Sequence, residues 1–187
     1  MPSTTDTRLA NMLGALVLAL ADDLRDTTET AAGQGATAPS ALVALHEFLG
    51  HATMDQLRRA IGLTPSGAVR LVDRLERAGY VQRRPGSDGR SVALVLTATG
   101  TRAARRVQAA RRRGLDNLLR VLSPAERASL DAITAKLLGA VTTQRLASRA
   151  QGLDPPGGWL CRMCDFDACG RDDGMCPTAE AAKAASG

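Results

Sequence analysis

The only cysteines of the chain stand at Cys161, Cys164, Cys169 and Cys176, all within "CRMCDFDACGRDDGMC" near its C-terminal end. The first two have the Cys-x2-Cys spacing with which a knuckle presents two thiolates to one metal ion, and the second two follow after four and six intervening residues. Two structural disulfides would need an oxidising compartment. Free thiols and thiols that trap a metal need none. A bound metal is the expected use of this cluster. Zinc accepts four thiolates and would staple a segment whose own apolar residues are chiefly Trp159, Leu160, Met163 and Phe166. An iron–sulfur cluster takes the same four ligands and is the alternative. Zinc would make the segment structural, whereas a cluster would make it responsive to oxidants or iron supply.

No other side chains have the spacing that catalysis demands. His46 and His51 are isolated, and neither a Ser/His/Asp set nor a carboxylate pair stands out, so the chain is not expected to be an enzyme. The second chemistry on offer is cationic. The formal net charge is +5, and Lys136 and Lys183 are the only lysines, so the excess is carried by arginine, the better planar ligand for phosphates. An arginine bias also follows from a GC-rich coding sequence, so placement has to decide.

The elements that would carry these groups are mostly helical. Hydrophobic residues make up 44% of the chain but aromatic ones only 2%, so the core of this 187-residue protein is built from Ala, Leu and Val. Leu9, Met12, Leu13, Leu16, Val17, Leu20 and Leu24 recur at helical spacing, and the pattern fades into a loop at "TTETAAGQGATAPS". Met12 to Ala21 imitates a secretory signal, but the run is too short to cross a bilayer and its helical spacing continues past it. A cytoplasmic protein with no membrane segment is expected. A short helix should follow from about Ser40 to Leu49.

The stretch "MDQLRRAIGLTPSGAVRLVDRLERAGYVQRRPGSDGRSVALVLTATG" carries the clearest local signals. Met54 to Ile61 forms a helix that Gly62 stops; Thr64 caps a second with Pro65 at its first position, and Gly79 closes it. "YVQRR" and "SVALVLT" flank the turn residues "PGSDG" as a hairpin. Two short helices joined at a glycine and followed by a basic hairpin make a winged helix-turn-helix. A long helix from about Ala98 to Leu122 bears Arg102, Arg105, Arg106, Arg111, Arg112 and Arg113. Ser123, Pro124 and Glu126 open a last helix, with Leu130, Ile133, Leu137, Leu138 and Val141 as its stripe, ended by "GLDPPGG".

Over roughly residues 8 to 147, and most specifically from Leu63 to Gly100, the sequence resembles the MarR family of bacterial transcriptional regulators. The resemblance rests on "LTPSGAVRLVDRLERAGYVQRRPGSDGRSVALVLTATG", with the Asp88-Gly89-Arg90 pair of the wing and the Leu96-Thr97 that follows the strand. It implies a mainly α fold with a small β-hairpin wing, and a homodimer in which the first helix and the last two interleave. It further implies recognition helices in successive major grooves of a pseudopalindrome, and a small ligand, often aromatic or phenolic.

Within this frame the second helix of the motif reads double-stranded DNA. Thr64 starts it; Ser66, Gly67 and Arg70 face base edges, with Arg70 suited to guanine, while Arg74 and Arg77 meet phosphates. Gly67 departs from the hydroxyl residue that the family often has there. Arg83, Arg84 and Arg90 belong to the wing, where Arg90, oriented by Asp88, could enter a narrow minor groove.

The expected organisation is 1–38 for an N-terminal dimerisation helix and loop, 39–100 for the DNA-binding lobe, 101–150 for C-terminal dimerisation helices and 151–187 for a four-cysteine metal-binding tail. The expected function is a dimeric, sequence-specific regulator modulated through the tail or by a small ligand. A metal- or redox-responsive protein-interaction module on a winged-helix scaffold is the alternative.

Overall fold

A computed structural model describes residues 4–35, 37–86, 91–153 and 157–185. Helix α1 (Thr4–Ala32) runs well past the point where its apolar stripe fades. Its last turns are held by packing: the buried Thr28 hydroxyl donates to the Leu24 carbonyl at 2.6 Å, Tyr80 Oη donates to the Ala32 carbonyl at 3.1 Å, and Ala32 is fully buried. Gly33, at φ 64°, then stops the helix. The expected loop over Thr27–Ala32 is therefore helix, and small residues there serve close packing. Helix α2 (Ala38–Glu47) begins two residues before the expected Ser40, with Pro39 in its first turn.

Strand β1 (Ala52–Thr53) leads into α3 (Met54–Ile61), α4 (Pro65–Arg77), β2 (Val81–Pro85) and β3 (Val92–Leu96). The sheet is antiparallel in the order β1-β3-β2, with Ala52 opposite Leu94 and Val81 opposite Leu96. Thr53 also caps α3, its hydroxyl accepting from the Gln56 amide while the Gln56 side chain accepts from the Thr53 N–H at 2.8 Å. Helix α5 (Ala98–Leu119) follows, then α6 (Pro124–Ala150), opened by the expected box between Ser123 and Glu126. A 3-10 turn (Leu160–Met163) and α7 (Pro177–Ala184) order the tail.

The core belongs to the winged helix and its immediate supports. Leu42, Leu57, Leu71, Leu75, Leu94 and Val107 are each at most 1% exposed. Ala103, Ala104 and Val107 bring the first half of α5 into this core, and Met163 of the tail packs on its edge. By contrast the apolar stripe of α1 and that of α6 face solvent. No helix among the described residues is long and apolar enough to cross a membrane.

Candidate nucleic-acid interface and cysteine tail

Helix α4 is anchored along one face and open along the other. Ala68, Leu71, Val72 and Leu75 are buried, whereas Ser66, Arg70 and Arg77 are exposed. Its start is fixed by Gly62, which takes φ 71° to end α3, and by Thr64, whose Oγ1 accepts from the Gly67 amide at 3.2 Å and lies 3.4 Å from Ser66 Oγ. Gly67 contributes the close approach of that cap: a Cβ there would stand 3.1 Å from Thr64 Oγ1.

The arginines fall into two groups. Arg70 and Arg74 make no hydrogen bond or ion pair with the described residues, so their guanidinium groups are available to an outside acceptor. The rest are engaged. Arg77 Nε donates to the Asp73 carbonyl at 3.2 Å, and Arg84 Nη2 donates to Gln82 Oε1 at 2.7 Å. Arg83 reaches back from β2 to pair with Asp73 at 2.5 Å and with Glu76. Its pKa is raised, chiefly by the hydrogen bond to Asp73. Arg83 thus braces the wing against α4 with its charge offset by two carboxylates, a role that spacing alone did not suggest. Asp88 and Arg90 lie outside the described residues.

The four cysteines are free thiols gathered into two pairs. The Cys161 carbonyl accepts from the Cys164 N–H at 3.0 Å, closing the knuckle turn, and the two thiols are within hydrogen-bonding reach. Hydrogen bonding from Cys164, opposed by burial and aided by Arg171, lowers the Cys161 pKa to about 7. The same contact, with burial, pushes Cys164 up. Cys169 lies beside the buried Cys176, donates its thiol to the Phe166 carbonyl at 3.5 Å, and is raised mainly by burial. Among the described residues no group of three or more His, Cys, Asp or Glu side chains could hold a metal ion. The thiols associate as two dithiols, Cys161 with Cys164 and Cys169 with Cys176.

The tail is not a loose appendage. Trp159 donates its amide to the Ala60 carbonyl at 2.8 Å, Phe166 donates its amide to Glu47 Oε2 at 2.9 Å, and Gln108 Nε2 reaches the Cys164 carbonyl at 3.3 Å. Phe48 stacks between Trp159, with centroids 5.6 Å apart, and Phe166, 5.4 Å apart. Gly158, at φ 75°, presses on the turn that precedes α4, since a Cβ there would lie 2.5 Å from the Ala60 carbonyl and 2.6 Å from the Gly62 nitrogen. Trp159 and Phe166 are readable in the sequence as apolar residues of the tail, whereas their stacking on Phe48 is not.

Comparison with known proteins agrees with this geometry. The MarR family profile matches residues 35–91, the span from before α2 through the wing turn. The winged-helix lobe of the chain belongs to the MarR family. A MarR family protein from Bacillus stearothermophilus is 28% identical with a TM-score of 0.67, and 76% of this chain covers 99% of it. YusO from Bacillus subtilis, at 23% identity and a TM-score of 0.63, shares the fold over 73% of this chain and 97% of its own. The transcriptional repressor MprA of Escherichia coli K12 is 34% identical over 100 residues, which are 52% of this chain. The match spans little more than half, 57%, of that curated relative. The curated relative is thus a transcriptional repressor, and the family profile falls on the winged-helix lobe itself.

Proposed function

We propose that this MarR-type chain is a sequence-specific DNA-binding transcriptional regulator that acts as a homodimer on a pseudopalindromic operator. The observation that carries the reading is α4: one face locked in the core, the other presenting the uncommitted guanidinium groups of Arg70 and Arg74, with Arg83 bracing the wing beside it. An exposed, rigid helix with free arginines at groove-reading spacing suits base edges and phosphates of double-stranded DNA. That the relative MprA is a transcriptional repressor supports the same reading.

The test is fluorescence anisotropy on the upstream region of the protein's own gene. Arg70→Ala should weaken the specific complex about 10- to 100-fold, the worth of one bidentate base contact, without moving the melting temperature. Arg74→Ala should weaken specific and random DNA alike and reduce the salt slope by about one. Specific binding that Arg70→Ala leaves intact would overturn the assignment of α4.

The reading extends to the tail as the element that modulates DNA affinity, with zinc as its cofactor. The thiols of each pair lie within electrostatic reach of the other pair, which supports closure of both dithiols on one ion. Elemental analysis of anaerobically purified protein should return about one zinc per chain, the stoichiometry of a four-thiolate site, and Cys176→Ser should lose it. Iron with acid-labile sulfide would assign a cluster instead. No metal above background would leave the cysteines as two dithiols.

A further inference from the structure

A cavity of about 490 Å³ opens between α6, α7 and the cysteine tail, within the size range of small-molecule sites. Most of its wall comes from the tail, outside the winged helix. Its composition is unlike that of the rest of the chain. The protein has four aromatic residues, and three of them, Phe48, Trp159 and Phe166, line this one cavity as a continuous stack. Trp159 remains 39% exposed although it is the bulkiest side chain present. The fourth aromatic, Tyr80, is tied to Ala32 elsewhere.

The charged part of the lining is cationic. Arg145, Arg149, Arg171 and Lys183 all border the space, and among the described residues no Asp or Glu does. Lys183 is paired with Glu180 at 2.7 Å, Arg171 sits 4.8 Å over the Phe166 ring, and Arg145 donates to the Gly158 carbonyl at 3.0 Å. Arg149 has no hydrogen-bonding or ionic partner among the described residues. Just outside, burial and then the like charge of Arg145 hold Arg162 below its ordinary pKa.

We infer that this cavity is a binding site for a flat organic anion whose apolar body lies against the aromatic stack and whose carboxylate or sulfonate engages Arg149 and Arg145. Charged hydrogen bonds made beside a partly desolvated aromatic wall are the strong ones, so charge and flatness are both required of the ligand. Occupancy is felt at α4. Trp159 forms the wall with its ring and holds Ala60 with its amide, and Gly158 bears on the Gly62 turn that sets the start of the recognition helix. The binding step stands on the cavity alone; its effect on DNA rests on the regulator reading above.

The experiment titrates the full-length protein with 2-naphthoate and with its neutral counterpart 2-naphthamide by calorimetry, with the fluorescence of Trp159, the only tryptophan, as the marker of place. The naphthoate should bind with a change in Trp159 emission and the amide about tenfold more weakly or worse, the worth of a charged hydrogen bond. Arg149→Gln, at an exposed position where folding is not at stake, should weaken the naphthoate about tenfold while leaving the amide unchanged. Equal binding of both probes, binding that leaves Trp159 emission and the Arg149→Gln affinity unmoved, or no binding up to millimolar concentration would each overturn the site. Operator affinity is then measured with and without naphthoate. Ligand binding without a change in DNA affinity would sink the coupling and leave the site standing.

Discussion

Gly100→Ala should lower the stability of the protein by about 3 kcal/mol or more, at the upper end of what overpacking a tight site does. Gly100 lies in the first turn of α5, where a Cβ would overlap the Tyr80 carbonyl oxygen and stand 2.9 Å from its carbon. The obstacle is backbone, so no side-chain rotation relieves it. That carbonyl is already committed: it accepts from the Thr97 amide at 3.0 Å, while Thr97 Oγ1 donates to the Gly79 carbonyl at 2.6 Å and accepts from the Gly100 amide at 3.0 Å. The same corner receives the end of α4 through the Tyr80 amide on the Leu75 carbonyl at 2.9 Å. Pushing α5 away would drag Ala103, Ala104 and Val107 from the core. For a chain of this length the loss corresponds to a fall in melting temperature of about 6–12 °C, read by calorimetry. Gly139→Ala is the control. Gly139 sits in α6 with nothing within 4 Å of an added Cβ, so the change should be neutral or stabilise the protein by about 0.5–1 kcal/mol. Equal melting temperatures for the two variants would refute the close approach at the β3–α5 corner.

The elements that were readable beforehand are those whose signals are local. Gly62, Thr64 and Pro65 mark the junction of α3 and α4 within four residues, and Ser123, Pro124 and Glu126 mark the start of α6 in the same way; each signal is a hydrogen bond or a dihedral preference that needs no distant partner. The elements that escaped depend on tertiary contacts. Thr27 to Ala32 has no helical stripe of its own and is helical because α5 and Tyr80 pack on it, with Arg106 donating to the Ala31 carbonyl at 3.3 Å. Strand β1 is two residues long and exists because β3 offers Ala93 and Leu94 as partners.

The site divides along the same line. The exposed face of α4 followed from helical periodicity, so Ser66 and Arg70 stand where expected. Periodicity is silent on which charges neutralise one another. Arg83 belongs to β2 and its carboxylates to α4, and only the angle between wing and helix brings them together. Likewise the Cys-x2-Cys spacing foretold a tight turn at Cys161 and Cys164, whereas docking of the tail depends on Phe48, far away in the chain.

Ile133→Glu combined with Leu137→Glu should convert the protein from a dimer to a monomer and weaken operator binding about 100-fold or more, the loss expected when two linked half-site contacts become one. In the single chain these side chains are 56% and 51% exposed and lie outside the buried core, so the substitutions leave that core intact. Leu130, Leu138 and Val141 extend the same stripe along α6, and Leu9, Met12, Leu13, Leu16 and Val17 expose a second along α1. Two long helices with open apolar stripes exceed what a monomeric surface ordinarily leaves to water, and in the proposed homodimer a second copy of the chain would supply the matching faces by symmetry. A glutamate pair buried in that contact would face several kcal/mol of desolvation without a partner, enough to dissociate an interface of ordinary strength. Light scattering decides the first step: the parent should give twice the 19.5 kDa chain mass and the variant the chain mass itself. Because the lobe is untouched, the variant should keep weak, salt-sensitive binding to random DNA while losing preference for the inverted repeat. A variant that stays dimeric would mean that the α6 stripe is not the contact. One that becomes monomeric yet keeps full operator affinity would mean that recognition does not use paired α4 helices.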